Sequence, residues 1–247
     1  MRAMRATLSA QADVGDLVAE RPSRGAVFDA FGIDYSSTGE QCLAEVCRAR
    51  GIQTEALLDA LARSDAAQVQ PEADLRAMSL TELTDHIEST HHVRLARLLP
   101  RLEDLSRQVA RIHGERDRRL RGLANLIHHY AVELRSHMAK EEHVLFEAVR
   151  RLDELSTVPG FQCGSIGNPI HVMVLEHDEA GAYLSRIRQV TDGLVAPDWA
   201  CATYQALIEE LRAFEADMHA HVHKENHVLF PRALAREREL DAQAKRS

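Results

Sequence analysis

Two segments of the sequence carry histidine and glutamate at a spacing that allows one helix to bind a metal ion. HMAKEEHVLF occupies residues 137–146 and HVHKENHVLF occupies residues 221–230, with seven of the ten positions identical. Each copy begins with a histidine that is followed four residues later by a glutamate. Side chains four residues apart lie on the same face of a helix. His137 with Glu141, and His221 with Glu225, can therefore each reach one metal centre.

A further histidine precedes each copy at nearly the same distance. His92 lies 45 residues before His137, and His177 lies 44 residues before His221. A single histidine on an apolar helix face is more often a core residue than a ligand, but a duplicated arrangement is much harder to explain in that way. The candidate metal ligands are His92, His137, Glu141, His177, His221 and Glu225.

The candidate ligands continue into apolar stripes that include Leu145 and Leu229, so we expect them to be buried. Burial of uncompensated carboxylates costs several kcal/mol, and a metal ion removes that cost. Four histidines and two glutamates are too many for one tetrahedral zinc ion, whereas nitrogen and oxygen ligands suit a pair of iron or manganese ions. We predict two iron ions.

The elements that must position these residues are predicted to be four long amphipathic helices. They cover about residues 79–112, 117–153, 168–192 and 198–236, and helices of this length are typical of a bundle. Shorter helices, with Gly32 and Gly51 as stops, are predicted before residue 64. A polar segment around Pro71 separates the two regions. The predicted fold is all-α, with a small helical domain at 1–70 and a four-helix bundle at 71–247.

Composition and charge argue against several classes of function. The formal net charge of −8 disfavours binding to nucleic acid or to anionic lipid, and no segment has the roughly 18 apolar residues of a membrane span. The cysteines at 42, 47, 163 and 201 form no CxxC pair, so neither a thiolate zinc site nor a disulfide framework is indicated. We expect a cytoplasmic protein with reduced thiols.

The ligand spacing, together with SHMAKEEHVLF, LEHDEAG and HKENHVLFPRAL, closely resembles the iron-sulfur cluster repair di-iron proteins, which are similar to haemerythrin in their C-terminal part. FDAFGIDYSSTGEQCLAEVC resembles their short N-terminal domain. The resemblance implies that Glu141 and Glu225 bridge two irons, which also share an oxo or hydroxo bridge. Each iron would take two histidines, and Glu133 and Glu176 are candidates for roles around the ligands.

One position departs from the family pattern. The family usually has two adjacent cysteines after Asp-Tyr, and this chain has Ser36 and Ser37 there. A serine cannot form a disulfide or act as a thiolate, so any role of that cysteine pair is in doubt. Among the histidines outside the candidate ligands, His219 and His223 in the last predicted helix are expected on the surface.

The resemblance implies a protein that binds or processes nitric oxide in the response to nitrosative or oxidative stress and that repairs iron-sulfur clusters in partner proteins. Whether it is a nitric oxide-reactive oxidoreductase stays open, as does its oligomeric state, including a homodimer. The alternative is a haemerythrin-like oxygen carrier or sensor, although haemerythrins typically have more histidine ligands. A third hypothesis is a structural or stored metal, with function residing in the N-terminal domain.

Overall fold

The computed structural model describes residues 8–67, 74–154 and 164–246, and helices dominate all three ranges. The α-helices are α1 (Val14–Glu20), α2 (Arg24–Ala30), α3 (Leu43–Arg50), α4 (Thr54–Ala67), α5 (Leu80–Ile87), α6 (Val93–His113), α7 (Arg119–Lys140), α8 (Phe146–Glu154), α9 (Gly167–Val190), α10 (Ala202–His223) and α11 (Phe230–Ala244). Within the described ranges there is an isolated β-bridge between Asp13 and Cys42 and no strand. The all-α prediction is confirmed.

Three of the long predicted helices contain a π-helical segment. These segments are Glu88–His92 between α5 and α6, Glu141–Leu145 between α7 and α8, and Lys224–Leu229 between α10 and α11. Each π-helical segment contains one candidate ligand, respectively His92, Glu141 and Glu225. π-helical turns are rare in proteins and are frequently found at functional sites. The fourth candidate helix, α9, is α-helical throughout its length.

The chain divides into two compact units. The terminal unit comprises Met1–Thr84, Val149–Pro159 and Met218–Ser247, and the central unit comprises Asp85–Ala148 and Gly160–Asp217. Within the central unit, α6 packs against α7 and α7 packs against α9. Arg188 on α9 pairs with Glu215 on α10, and Arg101 on α6 pairs with Glu210 on α10. These contacts close a ring of four helices, so the predicted four-helix bundle is confirmed.

In the terminal unit, α1 to α4 enclose an apolar core of their own. This core contains Val14, Leu17, Val18, Phe28, Ile33, Tyr35, Leu43, Val46, Cys47, Leu57 and Leu61. Gly51 and Gly32 adopt positive φ angles of 67° and 68° at the ends of α3 and α2, as the sequence predicts for helix stops. The short helices are thus separated by turns that a glycine accommodates without strain.

The start of α5 is fixed by reciprocal hydrogen bonds. The Glu82 backbone N–H donates to Ser79 Oγ at 3.0 Å, and the Ser79 backbone N–H donates to Glu82 Oε2 at 2.7 Å. This capping box satisfies two backbone donors that the first turn of a helix leaves without intrahelical partners. It explains why the first long helix begins close to the predicted residue 79.

The predicted linker lies partly outside the described residues, because Pro71 and its neighbours at 68–73 are not covered. The boundary at residue 70 therefore stays a prediction. Cys163 also lies outside them, while Cys42, Cys47 and Cys201 are free thiols. A search of the described residues for a helix that is long and apolar enough to span a membrane finds none.

Candidate metal centre

Four of the six candidate ligands lie together in the central unit. His92 ends the first π-helical segment, His137 lies in the last turn of α7, Glu141 begins the second π-helical segment, and His177 lies in the middle of α9. All four are buried, and Glu141 has no exposed surface. Charged residues are almost never fully buried unless they are paired or bind a metal.

The Glu141 carboxylate is the centre of this cluster. Its Oε2 lies 3.4 Å from His92 Nε2, and its Oε1 lies 3.2 Å from His137 Nε2 and 4.0 Å from His177 Nε2. The Nε2 atoms of His137 and His177 are 3.2 Å apart. His137, Glu141 and His177 thus each offer a ligand atom within 4.8 Å of the others.

Two of these imidazoles are oriented by a second carboxylate. His92 Nδ1 is 2.8 Å from Glu142 Oε1, and His137 Nδ1 is 2.8 Å from Glu176 Oε2. An ionised carboxylate only accepts hydrogen bonds, so each Nδ1–H donates to its glutamate and the Nε2 atom of each ring faces Glu141. Metal-binding histidines almost always donate their other ring N–H in this way.

The donor set fits a metal ion. With Nδ1 protonated, the Nε2 lone pairs of His92 and His137 face the oxygens of a buried carboxylate, which also carry lone pairs. Protons on these nitrogens would place charged imidazolium rings close together in the interior, where desolvation opposes charge. A cation among the nitrogens and oxygens satisfies every one of these groups at once.

The remaining two candidate ligands lie in the terminal unit. His221, near the end of α10, and Glu225, in the third π-helical segment, have no exposed surface. His221 Nε2 is 3.1 Å from Glu225 Oε1. This contact reproduces the one between His137 and Glu141, as expected from the repeated sequence. In both copies, therefore, the histidine and the glutamate four residues later lie on the same helix face and contact each other.

Glu176 and Glu133, the two glutamates proposed to support the ligands, differ in their contacts. Glu176 contacts both His137 and Lys140. Burial works to raise its pKa, but these hydrogen bonds outweigh burial and hold the pKa of Glu176 below its ordinary value. Glu133 is exposed on α7, and a role for it stays a prediction. Sequence reasoning missed Glu142. The second copy of the repeat has asparagine, Asn226, at that position, so the repeat gave no signal for it.

Ser36 and Ser37 lie in a loop organised by Asp34. The two hydroxyl groups donate to Asp34 Oδ1 at 2.6 Å and Oδ2 at 2.9 Å, respectively. The Ser36 carbonyl oxygen accepts a hydrogen bond from His227 Nε2 at 3.0 Å. The two serine hydroxyl groups therefore stabilise this loop by hydrogen bonds that a cysteine pair would not supply.

The expectation that His219 and His223 lie on the surface is wrong. His223 is buried and donates from Nε2 to the Gly15 carbonyl oxygen at 2.9 Å. Burial lowers the pKa of His223 to about 3, so the ring is neutral near pH 7. His219 Nδ1 lies 2.8 Å from Asp29 Oδ1 and its ring is mostly covered. The N-terminal helices of the same unit cover this face of α10, which helical periodicity alone could not reveal.

Comparison with known proteins finds two family models that match this chain. Residues 83–233 match the haemerythrin HHE cation-binding domain, and residues 10–65 match a domain of unknown function, DUF542. The first match contains all six candidate ligands, and the second contains Ser36 and Ser37.

The chain is also similar along most of its length to curated proteins. Iron-sulfur cluster repair proteins YtfE from Citrobacter koseri, Salmonella schwarzengrund and an Enterobacter species are each 34% identical over 224 residues. These residues are 91% of this chain and 97% of each relative. With its haemerythrin-type cation-binding domain and its buried histidine and glutamate clusters, the chain belongs to the family of iron-sulfur cluster repair proteins.

Proposed function

We propose that this protein repairs damaged iron-sulfur clusters by means of a centre of two iron ions. The observation that carries this proposal is the fully buried Glu141 carboxylate, faced by the Nε2 atoms of three histidines. Family membership supports the repair function, since the relatives are named for it. The proposed ligands are His92, His137, Glu141, His177, His221 and Glu225.

The assignment of six ligands rests on the internal repeat. His137 and Glu141 belong to a cluster in which every donor atom is nitrogen or oxygen. His221 and Glu225 have the same spacing, the same complete burial of the glutamate and a similar Nε2–Oε1 distance. Equivalent sequence and geometry support equivalent roles. We infer that Glu141, Glu225 and the four histidines would together hold the two ions.

The side chains of the protein have definable tasks in such a centre. Glu142 and Glu176 accept from Nδ1 and so hold the rings of His92 and His137 with Nε2 directed at the metal position. Phe146 stacks on the His92 ring, with centroids 5.6 Å apart, and excludes water from that side. Bound iron would supply redox chemistry and a coordination position for a diatomic molecule such as nitric oxide.

This chemistry suits a role in nitrosative or oxidative stress, with iron-sulfur proteins as the partners that are repaired. Nitric oxide is the diatomic ligand we favour, because this chain has four candidate histidine ligands, whereas oxygen-carrying haemerythrins typically have more. The cytoplasm remains our expected location.

Metal analysis is the first test. The protein, produced with ample iron, should contain about two irons per chain and show the near-ultraviolet absorption of a bridged di-iron centre.

A pair of variants tests the role of Glu176. Glu176→Gln should weaken iron retention, whereas Glu133→Gln on the same bundle should leave the iron content unchanged, because Glu133 is exposed. A folded protein that takes up no iron would contradict the proposed centre.

Repair is tested separately. An iron-sulfur enzyme inactivated by nitric oxide should regain activity faster with the iron-loaded protein than with the His177→Ala variant. The reduced protein should form a persistent iron-nitrosyl signal and be oxidised by oxygen. A stable, reversible oxygen adduct without repair activity would instead support the oxygen carrier hypothesis.

A further inference from the structure

A cysteine and a histidine form a pair in the central unit, outside the candidate metal centre. Cys201 directly precedes α10, and His113 is the last residue of α6. His113 Nε2 lies 3.1 Å from Cys201 Sγ. Cys201 is partly exposed. A thiol within hydrogen-bond distance of an imidazole is the usual arrangement of an activated nucleophile.

The helix that follows Cys201 also favours a thiolate. The Cys201 carbonyl oxygen accepts the first helical hydrogen bond, from the Gln205 backbone N–H at 3.0 Å, so Cys201 is the N-cap of α10. The backbone N–H groups of Thr203 and Tyr204 donate to its sulfur. The N-terminus of a 22-residue helix carries partial positive charge, which stabilises an anion at this position.

Aromatic and charged groups surround the pair. The His113 ring packs against Trp199 and Tyr204, with centroids 5.4 and 6.1 Å away, and the Arg116 guanidinium lies 4.4 Å from the centre of the Trp199 ring. Arg119 forms ion pairs with Asp117 and Asp192. Arg116 thus contributes positive charge beside an aromatic wall, which suits an anionic partner molecule.

These surroundings have a measurable consequence for the thiol. The hydrogen bond with His113 and the N–H groups of Tyr204 and Thr203 together lower the pKa of the Cys201 thiol to about 7. By contrast, burial raises the pKa of the Cys47 thiol. Thiols whose pKa is near the ambient pH are the most effective at attacking disulfides.

We propose that Cys201 is a modification site that forms a mixed disulfide with anionic low-molecular-weight disulfides. The Cys201 proton passes to His113 Nε2, and the thiolate attacks one sulfur of the disulfide. The disulfide bond breaks, a bond between Cys201 and that sulfur forms, and the leaving thiolate takes the proton. One thiol and one disulfide thus yield one mixed disulfide and one thiol, with no other oxidant.

The test uses the full-length, iron-loaded protein and oxidised glutathione. Mass spectrometry of proteolytic peptides should find glutathione on Cys201, and the rate of its attachment should be half-maximal near pH 7. His113→Phe keeps a ring beside Trp199 and Tyr204 but removes the nitrogen that contacts the sulfur. In this variant the rate at pH 7 should fall about tenfold, with the half-maximal point moving toward the ordinary cysteine pKa of roughly 8.5.

Cys42 is the matched control. It is the N-cap of α3 and partly exposed like Cys201, but its side chain makes no capping hydrogen bond. Glutathione should attach to it more slowly, and Cys42→Ser should leave the rate at Cys201 unchanged. The proposal is overturned if the pH profile of the unsubstituted protein shows an ordinary cysteine pKa at Cys201, or if Cys42 reacts as fast.

Discussion

The two copies of the repeated segment carry the same pair of candidate ligand residues, but they differ in how far their other residues are buried. Val144 in the first copy is 54% exposed, whereas its equivalent Val228 is 1% exposed. Ala139 is exposed, and its equivalent His223 is buried with a hydrogen bond to the Gly15 carbonyl oxygen. Nearly identical sequence therefore occupies a solvent-facing surface in the central unit and an interior position in the terminal unit.

The same contrast holds for the second histidine that both copies share. His143 is exposed, while His227 is partly buried and donates to the Ser36 carbonyl oxygen. In the first copy a glutamate, Glu142, orients the His92 ring, and the second copy has Asn226 in its place. Identical as well as differing positions thus meet different surroundings in the two units, and the His-x-x-x-Glu positions of both copies carry the candidate metal chemistry.

The largest expected effect tests the shared part of the two copies. Glu141→Gln and Glu225→Gln keep the shape of each side chain but remove the negative charge. If both glutamates bridge the metal ions, each substitution should reduce bound iron to a small fraction of the unsubstituted level, as measured by elemental analysis after gel filtration. Retention of full iron content in either variant would show that the copies are not equivalent.

The next effect tests a position where the copies differ. Glu142→Ala removes the carboxylate that accepts from His92 Nδ1, so iron affinity should fall about 10- to 100-fold. Asn226→Ala is the control at the equivalent position. A competition assay with a chelator measures both, and equal losses in the two variants would contradict the orienting role of Glu142.

Burial of the two valines predicts a difference in stability. Val228→Ala should lower the free energy of unfolding by about 2 kcal/mol, because it leaves a cavity in a packed interior. Val144→Ala should change it by less than about 0.5 kcal/mol, since exposed side chains contribute little. Urea unfolding monitored by circular dichroism compares them, and similar values would show that the second copy is not covered as described.

The smallest effect concerns the loop that covers His227. A Cβ atom at Gly39 would overlap the His227 ring, so Gly39→Ala must displace that ring from Ser36 and should cost about 1 kcal/mol. Gly122 on α7 has no atom within 4 Å of such a Cβ. Gly122→Ala should therefore stabilise the protein by about 0.5–1 kcal/mol, and thermal unfolding distinguishes the two directions.

The sequence by itself determined the helices and the residues that could bind metal. Helical periodicity is a local property, so the spacing of His137 and Glu141 placed them on one face before any tertiary contact was known. Duplication of that spacing at His221 and Glu225 made a structural explanation improbable. Family motifs added the function that is proposed, because the residues alone allow more than one reaction with a diatomic molecule.

Only the tertiary structure decided which other groups serve those residues. The contact between Glu142 and His92 and the burial of His223 depend on elements that are distant in sequence. The pairing of His113 with Cys201 joins residues 88 positions apart, which no local pattern could indicate. The physical reason is that burial and hydrogen-bond partners are properties of packing, whereas helical spacing is a property of the backbone itself.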